Sequence, residues 1–207
     1  MADFQYRRAR IDDAAAIAAI YAPYVRDTIV SFETEPPDAA EMATRIERIG
    51  RQYPWLTASF HRTGHAADGR VVGYAYACEN RSRLAYRWSV DTAVYLDPSV
   101  QGCGVGSALY RGLIGLLREQ GYVNAFAGIA LPNAPSVKLH EAMGFKSIGV
   151  YRNVGYKLGA WRDVGWWQLA LCAPPRHAVE PVAIGELGDL VVDAVLAGRA
   201  SAQSLTG

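Results

Sequence analysis

The sequence predicts an α/β domain on a mixed, mostly antiparallel central sheet of about seven strands flanked by helices. Three observations lead there. The apolar runs Trp55–Phe60 and Val71–Cys78 are joined by a Gly/Asp-bearing turn at 64–70, as the arms of a hairpin are. From residue 88 onward, strand-like and helix-like stretches take turns, as crossover connections require. The chain of 207 residues is 51% hydrophobic and 20% charged, which suits one domain with a substantial core, and no linker divides it.

The elements follow in order. Phe4, Tyr6 and Arg8 begin a short strand. Asp12 or Asp13 caps the Ala-rich helix behind it, where Ile17, Ile20, Tyr21 and Val25 recur at helical spacing. Pro36 and Pro37 bar that helix from continuing past Ser31–Pro37. Asp38-Ala-Ala-Glu41 resembles a capping box and opens a second helix with Met42, Ile46 and Ile49 inward. Pro54 ends it, and the hairpin strands come next. Trp88–Leu96 is β-branched and aromatic, a fourth strand. Ala108–Arg118 sets Leu109, Leu113, Leu116 and Leu117 on one helical face. Tyr122–Ala130 is a fifth strand and Ser136–Met143 a short helix stopped by Gly144. Ile148–Val154 and Val164–Leu171 are the last strands, separated by a turn-rich 155–163. This domain occupies 1–175. Residues 176–207 form a C-terminal extension with one candidate helix, Gly185–Ala197, which Val191, Val192, Val195 and Leu196 could dock.

Composition excludes several roles. A net charge of +1 offers nucleic acid no electrostatic footing. No apolar run is long enough to span a bilayer and the N-terminus has no signal-peptide pattern, so a cytoplasmic chain without a membrane partner is expected. Cys78, Cys103 and Cys172 are scattered, with no metal-ligand spacing, and read as reduced thiols; no metal is expected.

The chemistry centres on Gln101-Gly-Cys-Gly-Val-Gly-Ser107, between the fourth strand and its helix. Gly102, Gly104 and Gly106 free the backbone for positive φ and for close approach of a ligand. First-turn N–H groups lack intrahelical partners and carry the positive end of the helix dipole, so the turn can cradle an anion such as a diphosphate. No Lys follows the glycines as a P-loop requires. The spacing and mid-chain position also depart from the dinucleotide fingerprint of a first βαβ unit. A glycine-rich connection without a ligand is the other reading.

Gln101-x-x-Gly104-x-Gly106 resembles the Q/R-x-x-G-x-G/A signature of the GCN5-related N-acetyltransferases (GNAT). Four further segments resemble one branch of that superfamily, the phosphinothricin and methionine sulfoximine or sulfone N-acetyltransferases: Phe32-Glu-Thr-Glu-Pro36, Trp88–Leu96, Leu131–Phe145 and Gly159–Gln168. The likeness runs from about Phe4 to Pro181. It implies the GNAT fold, acetyl-CoA as co-substrate, and direct transfer of the acetyl group to the α-amine of a small amino acid bearing a second acidic or polar group. It also implies a homodimer and, for phosphinothricin, herbicide resistance. Acetylation of another amine (a protein N-terminus or an amino sugar) and a non-catalytic CoA-binding sensor are the alternatives.

The resemblance also assigns residues. Asp91, a charge in an otherwise apolar strand that alternation sets opposite Val90 and Val94, stands where relatives carry Glu as the proposed base; being shorter, it is expected to work through a water, and the alternative is a strand-end Asp bonding nearby N–H groups. His140 takes the place of a Tyr that protonates the CoA sulfur in many GNAT enzymes; a structural histidine is the alternative. Val94, Tyr95 and Leu96 would bond the pantetheine arm through their backbone. Gln101, Gly102, Cys103, Gly104, Val105, Gly106 and Ser107 would hold the diphosphate, with Asn133 and Ser136 as a second cofactor contact. Phe32, Arg81, Ser82, Arg83, Tyr86, Asp91, Thr92 and Ala93 would surround the amino acid. Arg81 and Arg83 suit its oxygens because the guanidinium bonds two at once, although both could be solvated loop charges. Trp88, Trp161, Trp166 and Trp167 are expected in the core or a dimer contact.

Overall fold

The computed structural model describes residues 3–61 and 69–198. Its sheet has seven strands: β1 Asp3–Arg8, β2 Trp55–His61, β3 Arg70–Glu79, β4 Ser89–Leu96, β5 Asn124–Leu131, β6 Lys146–Lys157 and β7 Ala160–Ala170. Five helices accompany it: α1 Ala14–Asp27, α2 Ala39–Gly50, α3 Val105–Glu119, α4 Ala134–Ala142 and α5 Asp189–Leu196. The strand order is β1-β2-β3-β4-β5-β7-β6. Every neighbouring pair is antiparallel except β4 and β5, so the mixed, mostly antiparallel sheet expected from the sequence is present. β2 and β3 pair as the hairpin reading requires; most of its turn, 62–68, lies outside the described residues.

Alternation along β2–β4 sends side chains to two separate cores. Trp55, Val71 and Tyr74 meet Ile17, Tyr21 and Val25 of α1 and Met42 and Ile46 of α2. Leu56, Ala75 and Val90 face the opposite way, onto Leu109, Leu113 and Leu117 of α3. Those leucines are wholly buried, and each stabilises the fold by roughly 1.5–3 kcal/mol.

Several local expectations are corrected. Asp13 precedes α1 but does not cap it. Its carboxylate takes a bidentate bond from Arg7 at 2.7 Å and one from the Arg10 N–H, tying α1 to β1. Asp38 does cap α2, accepting from the Glu41 N–H at 2.8 Å. Helix α4 begins two residues early, because Asn133 caps it and Pro135 fits in the first turn, where its missing N–H costs no bond. The turn-rich 155–163 is largely strand. β6 and β7 join through Leu158 and Gly159, at φ 50° and 74°, the positive pair that a tight hairpin turn requires. Of the tryptophans expected in the core or a dimer contact, Trp167 is buried and Trp161 is exposed.

The extension folds back onto the domain. Gln120 donates to the carbonyls of Gln52 and Val182 at 2.8 Å, and Trp88 Nε1 donates to Val179. Ile184, Val192 and Val195 are buried, and α5 lies against α3 where Gly112 and Gly115 leave room for Leu196 and Val195.

Candidate active site

The fold opens the sheet at one place. β4 and β5 pair only from Ser89, Val90 and Asp91 to Asn124, Ala125 and Phe126. Beyond Asp91, β4 stays on β3 while β5 follows β7. Asp97 N–H bonds the Val72 carbonyl, and the register with β3 is unshifted, so alternation turns the backbone of Tyr95 toward β3. The backbone groups of Thr92, Val94 and Leu96 face the split. Tyr95 is thereby removed from the expected backbone contacts, and the Leu96 carbonyl is engaged by Tyr24 Oη at 2.6 Å. At the apex, Thr92 Oγ1 donates to the Phe126 carbonyl at 3.0 Å, bridging the strands where they part.

The glycine turn sits beside this split. Gly102 and Gly104 have φ 78° and 82°, which only glycine adopts freely. Gly106 is different: it is helical and buried, and a Cβ there would lie 3.3 Å from Leu96 and 3.4 Å from Leu139. Its smallness lets α3 approach β4 and α4. Ala108 N–H reaches the Gly104 carbonyl at 3.0 Å, leaving the N–H groups of Val105, Gly106 and Ser107 at the free head of α3. Cys103 is exposed in the turn. Gln101 donates to Tyr24 Oη at 3.2 Å, locking the turn to α1. A diphosphate fits the helix head, and an extended, amide-bearing arm fits the open edge of β4.

His140 lies on the α3 face of the split and is only 4% exposed. Its Nδ1 is 2.8 Å from the Ser136 carbonyl, which can only accept, so the network assigns the ring proton to Nδ1. Nε2 then offers a lone pair, which Tyr110 Oη occupies at 2.7 Å. Tyr110 Oη is also 3.4 Å from Thr92 Oγ1. Burial lowers the imidazole pKa against a raising influence of the Ser136 carbonyl, so the ring is neutral at physiological pH. Asn133 accepts from the Ser136 N–H at 3.2 Å and caps this helix.

Asp91 lies on the other face, level with Cys78 of β3. Burial raises its pKa, partly offset by a 2.6 Å bond from Asn80 Nδ2 and by the charge of Arg81. A carboxylate so placed is a better base than one in water. Arg81 also stands 5.7 Å over the Trp166 ring. Ala93 is on the same face, opposite Tyr76, whereas Thr92 points to the α3 side, away from the other residues expected around the amino acid. Phe32 rests against Gly155 of β6, and Lys157 holds the Phe32 loop by donating to the Ser31 and Glu33 carbonyls. Ser82, Arg83 and Tyr86 lie exposed along the loop between β3 and β4. A cleft of about 260 Å³ opens on this face, lined by Tyr21, Glu33, Arg45, Trp55, Tyr76 and Cys78 among others.

Sequence reasoning missed Asn80, Lys157 and Tyr110. Tyr110 did leave a signal: a phenol among the leucines of an apolar helix face needs a buried partner. Asn80 and Lys157 left none, since their partners lie on other strands and loops.

An open strand edge, a helix-head cradle and a carboxylate and an imidazole on the two faces of one strand together define an acyltransferase that threads its donor through the sheet. The Acetyltransferase (GNAT) domain family matches residues 7–166. The chain belongs to the GNAT acetyltransferase family. It is 42% identical over 180 residues to the phosphinothricin N-acetyltransferase of Streptomyces viridochromogenes, covering 86% of this chain and 94% of that one. It is 35% identical to the L-methionine sulfoximine/L-methionine sulfone acetyltransferase of Pseudomonas paraeruginosa, covering 83% of this chain and 96% of that one. Among solved structures, a GNAT superfamily phosphinothricin acetyltransferase from Sinorhizobium meliloti in complex with AcCoA matches with a TM-score of 0.77 and 33% identity, over 87% of this chain and 98% of that one.

Proposed function

We infer that this chain transfers the acetyl group of acetyl-CoA to the α-amine of phosphinothricin, methionine sulfoximine, methionine sulfone or a similar small amino acid. The observation that carries the reading is Asp91, a half-buried carboxylate held by Asn80 at 2.6 Å beside the split where β4 and β5 part. When bound, acetyl-CoA supplies an activated acetyl group. The α3 head, with Gly102 to Ser107, would receive its diphosphate, and the backbone of Val94 its pantetheine arm. An α-ammonium is not a nucleophile; Asp91 takes its proton, directly or through a water, and frees the lone pair. Arg81, with its guanidinium over Trp166, pairs with an acidic oxygen of the amino acid, and Phe32 walls its side chain.

The exposed apolar residues of β6 and β7, Ile148, Tyr151, Val154 and Trp161 among them, support a homodimer. Among the described residues no helix is long and apolar enough to cross a membrane.

Thiol release from acetyl-CoA tests the reading. Phosphinothricin, methionine sulfone, methionine sulfoximine, the ordinary amino acids and a peptide with a free N-terminal alanine serve as acceptors. Release with the first three at well above the peptide rate is expected. Release with the peptide alone, or with no acceptor, would refute it.

A further inference from the structure

Tyr110 is wholly buried, and a phenylalanine would pack the same ring against His140 and Phe145. What the hydroxyl adds is a connection. We propose that Tyr110, with Thr92 at the outer end, relays protons between the strand split and His140. The relay rests on the reading that acetyl transfer takes place at that split.

The inner hydrogen bonds run toward His140 Nε2. The Ser136 carbonyl holds the Nδ1 proton, so Nε2 must accept, and it accepts from Tyr110 at 2.7 Å. The lone pairs of Tyr110 Oη are then left for Thr92 Oγ1, 3.4 Å away, whose present acceptor is the Phe126 carbonyl at 3.0 Å. At rest the Thr92 proton lies on the Phe126 carbonyl, so the chain closes when Thr92 turns that proton to the Tyr110 lone pair, and the neutral His140 has none to send out. The groups packed on His140 are Tyr110 from α3, Phe145 after α4 and Ser136 of its own helix. Only Tyr110 among these titrates, and burial pushes its pKa up, away from neutrality.

The step balances without a co-reactant. The amine lone pair forms the C–N bond, leaving the nitrogen one proton in excess. That proton enters through Thr92 to the Tyr110 oxygen while the Tyr110 proton passes to Nε2, leaving an imidazolium. The C–S bond breaks with its electron pair on sulfur, and His140 returns the proton along the same hydroxyls to the thiolate. Asp91, on the other face of β4, handles the earlier proton, lost from the ammonium before attack. The two protons thus leave by different faces of the strand.

Tyr110→Phe removes one oxygen and keeps the ring. It should lower kcat by roughly 10²-fold with little change in KM for acetyl-CoA. His140→Gln in the same background should add little, since the two act as one unit. Ring-nitrogen NMR of the substrate-free protein gives a readout apart from turnover. It should find the Nδ1–H tautomer, and Tyr110→Phe should raise the His140 pKa, because a donor to its neutral form is lost. Normal kcat with an unmoved His140 titration in Tyr110→Phe would overturn the relay, as would an Nε2–H tautomer in the parent. If Tyr110→Phe fails to fold, Thr92→Val takes its place: a kcat near that of the parent again overturns the relay, and a loss of kcat with acetyl-CoA KM retained supports it. An inactive His140→Gln beside a normal Tyr110→Phe defeats the relay alone. A parent inactive toward every amino acid defeats the acetyltransferase reading, while the NMR titration still reports the coupling.

Discussion

Asp91 is one methylene shorter than the Glu its relatives are expected to carry, and Asn80 is what fixes it. Because burial raises its pKa, the charged carboxylate destabilises the native state: its contribution is favourable at low pH and is lost as pH rises through the folded value. Asp91→Asn should therefore melt at a higher temperature at neutral pH while turnover falls on the order of 10²-fold. Melting curves and thiol-release rates at one pH check both halves, and a lower melting temperature with near-normal turnover would contradict them. His140 has the opposite sign. Its folded pKa is depressed, so the unfolded chain binds a proton first, and stability drops as pH falls below the ordinary histidine value of about 6.5. In His140→Gln that part of the acid loss should vanish from melts recorded across the range.

At the scale of elements, the α3 head and the contact of β6 with Phe32 can be tested separately. Gly104→Val forces a β-branched residue to φ 82° and should weaken acetyl-CoA binding at least tenfold by calorimetry, with the far-UV spectrum retained. Unchanged affinity would mean that the turn does not hold the coenzyme. In Gly155→Ala the added methyl would overlap the Phe32 ring. The amino-acid KM should rise while the acetyl-CoA KM stays put, and steady-state kinetics with each substrate varied in turn separates the two. The sequence made these elements legible because their apolar residues follow helical or strand periods; Leu109, Leu113, Leu116 and Leu117 announce α3 unaided. It hid the β6–β7 hairpin, since Leu158 at positive φ is an unusual turn residue and the glycines at 155 and 159 read as loop. Asp91 was legible as a charge in an apolar strand, His140 only through resemblance to a family motif. That they occupy opposite faces of β4 emerges from the register with β3 and from Tyr110, neither of which a linear motif encodes.

For the whole molecule, the extension beyond residue 175 matters most. Its valines hinted at a docked helix, but the receiving groove was invisible because Gly112 and Gly115 look like weak points in α3. A Cβ at Gly115 would come within 2.6 Å of Val195 Cγ1. Alanine there improves helix propensity by up to about 1 kcal/mol, yet overpacking against a stiff β-branched neighbour costs about 1–3 kcal/mol. Gly115→Ala should accordingly lower the denaturant midpoint; a rise would show that α5 does not seat on α3 in solution.

The seating of α5 also bears on how the polypeptide is made. α5 follows every strand of the sheet in chain order, so it leaves the ribosome after them. Until it does, the flank of α3 around Gly112 and Gly115 stays bare to solvent, greasy and open to chaperones. Released chains that stop shortly before residue 189 should therefore be more protease-sensitive and more prone to clump than chains that include α5.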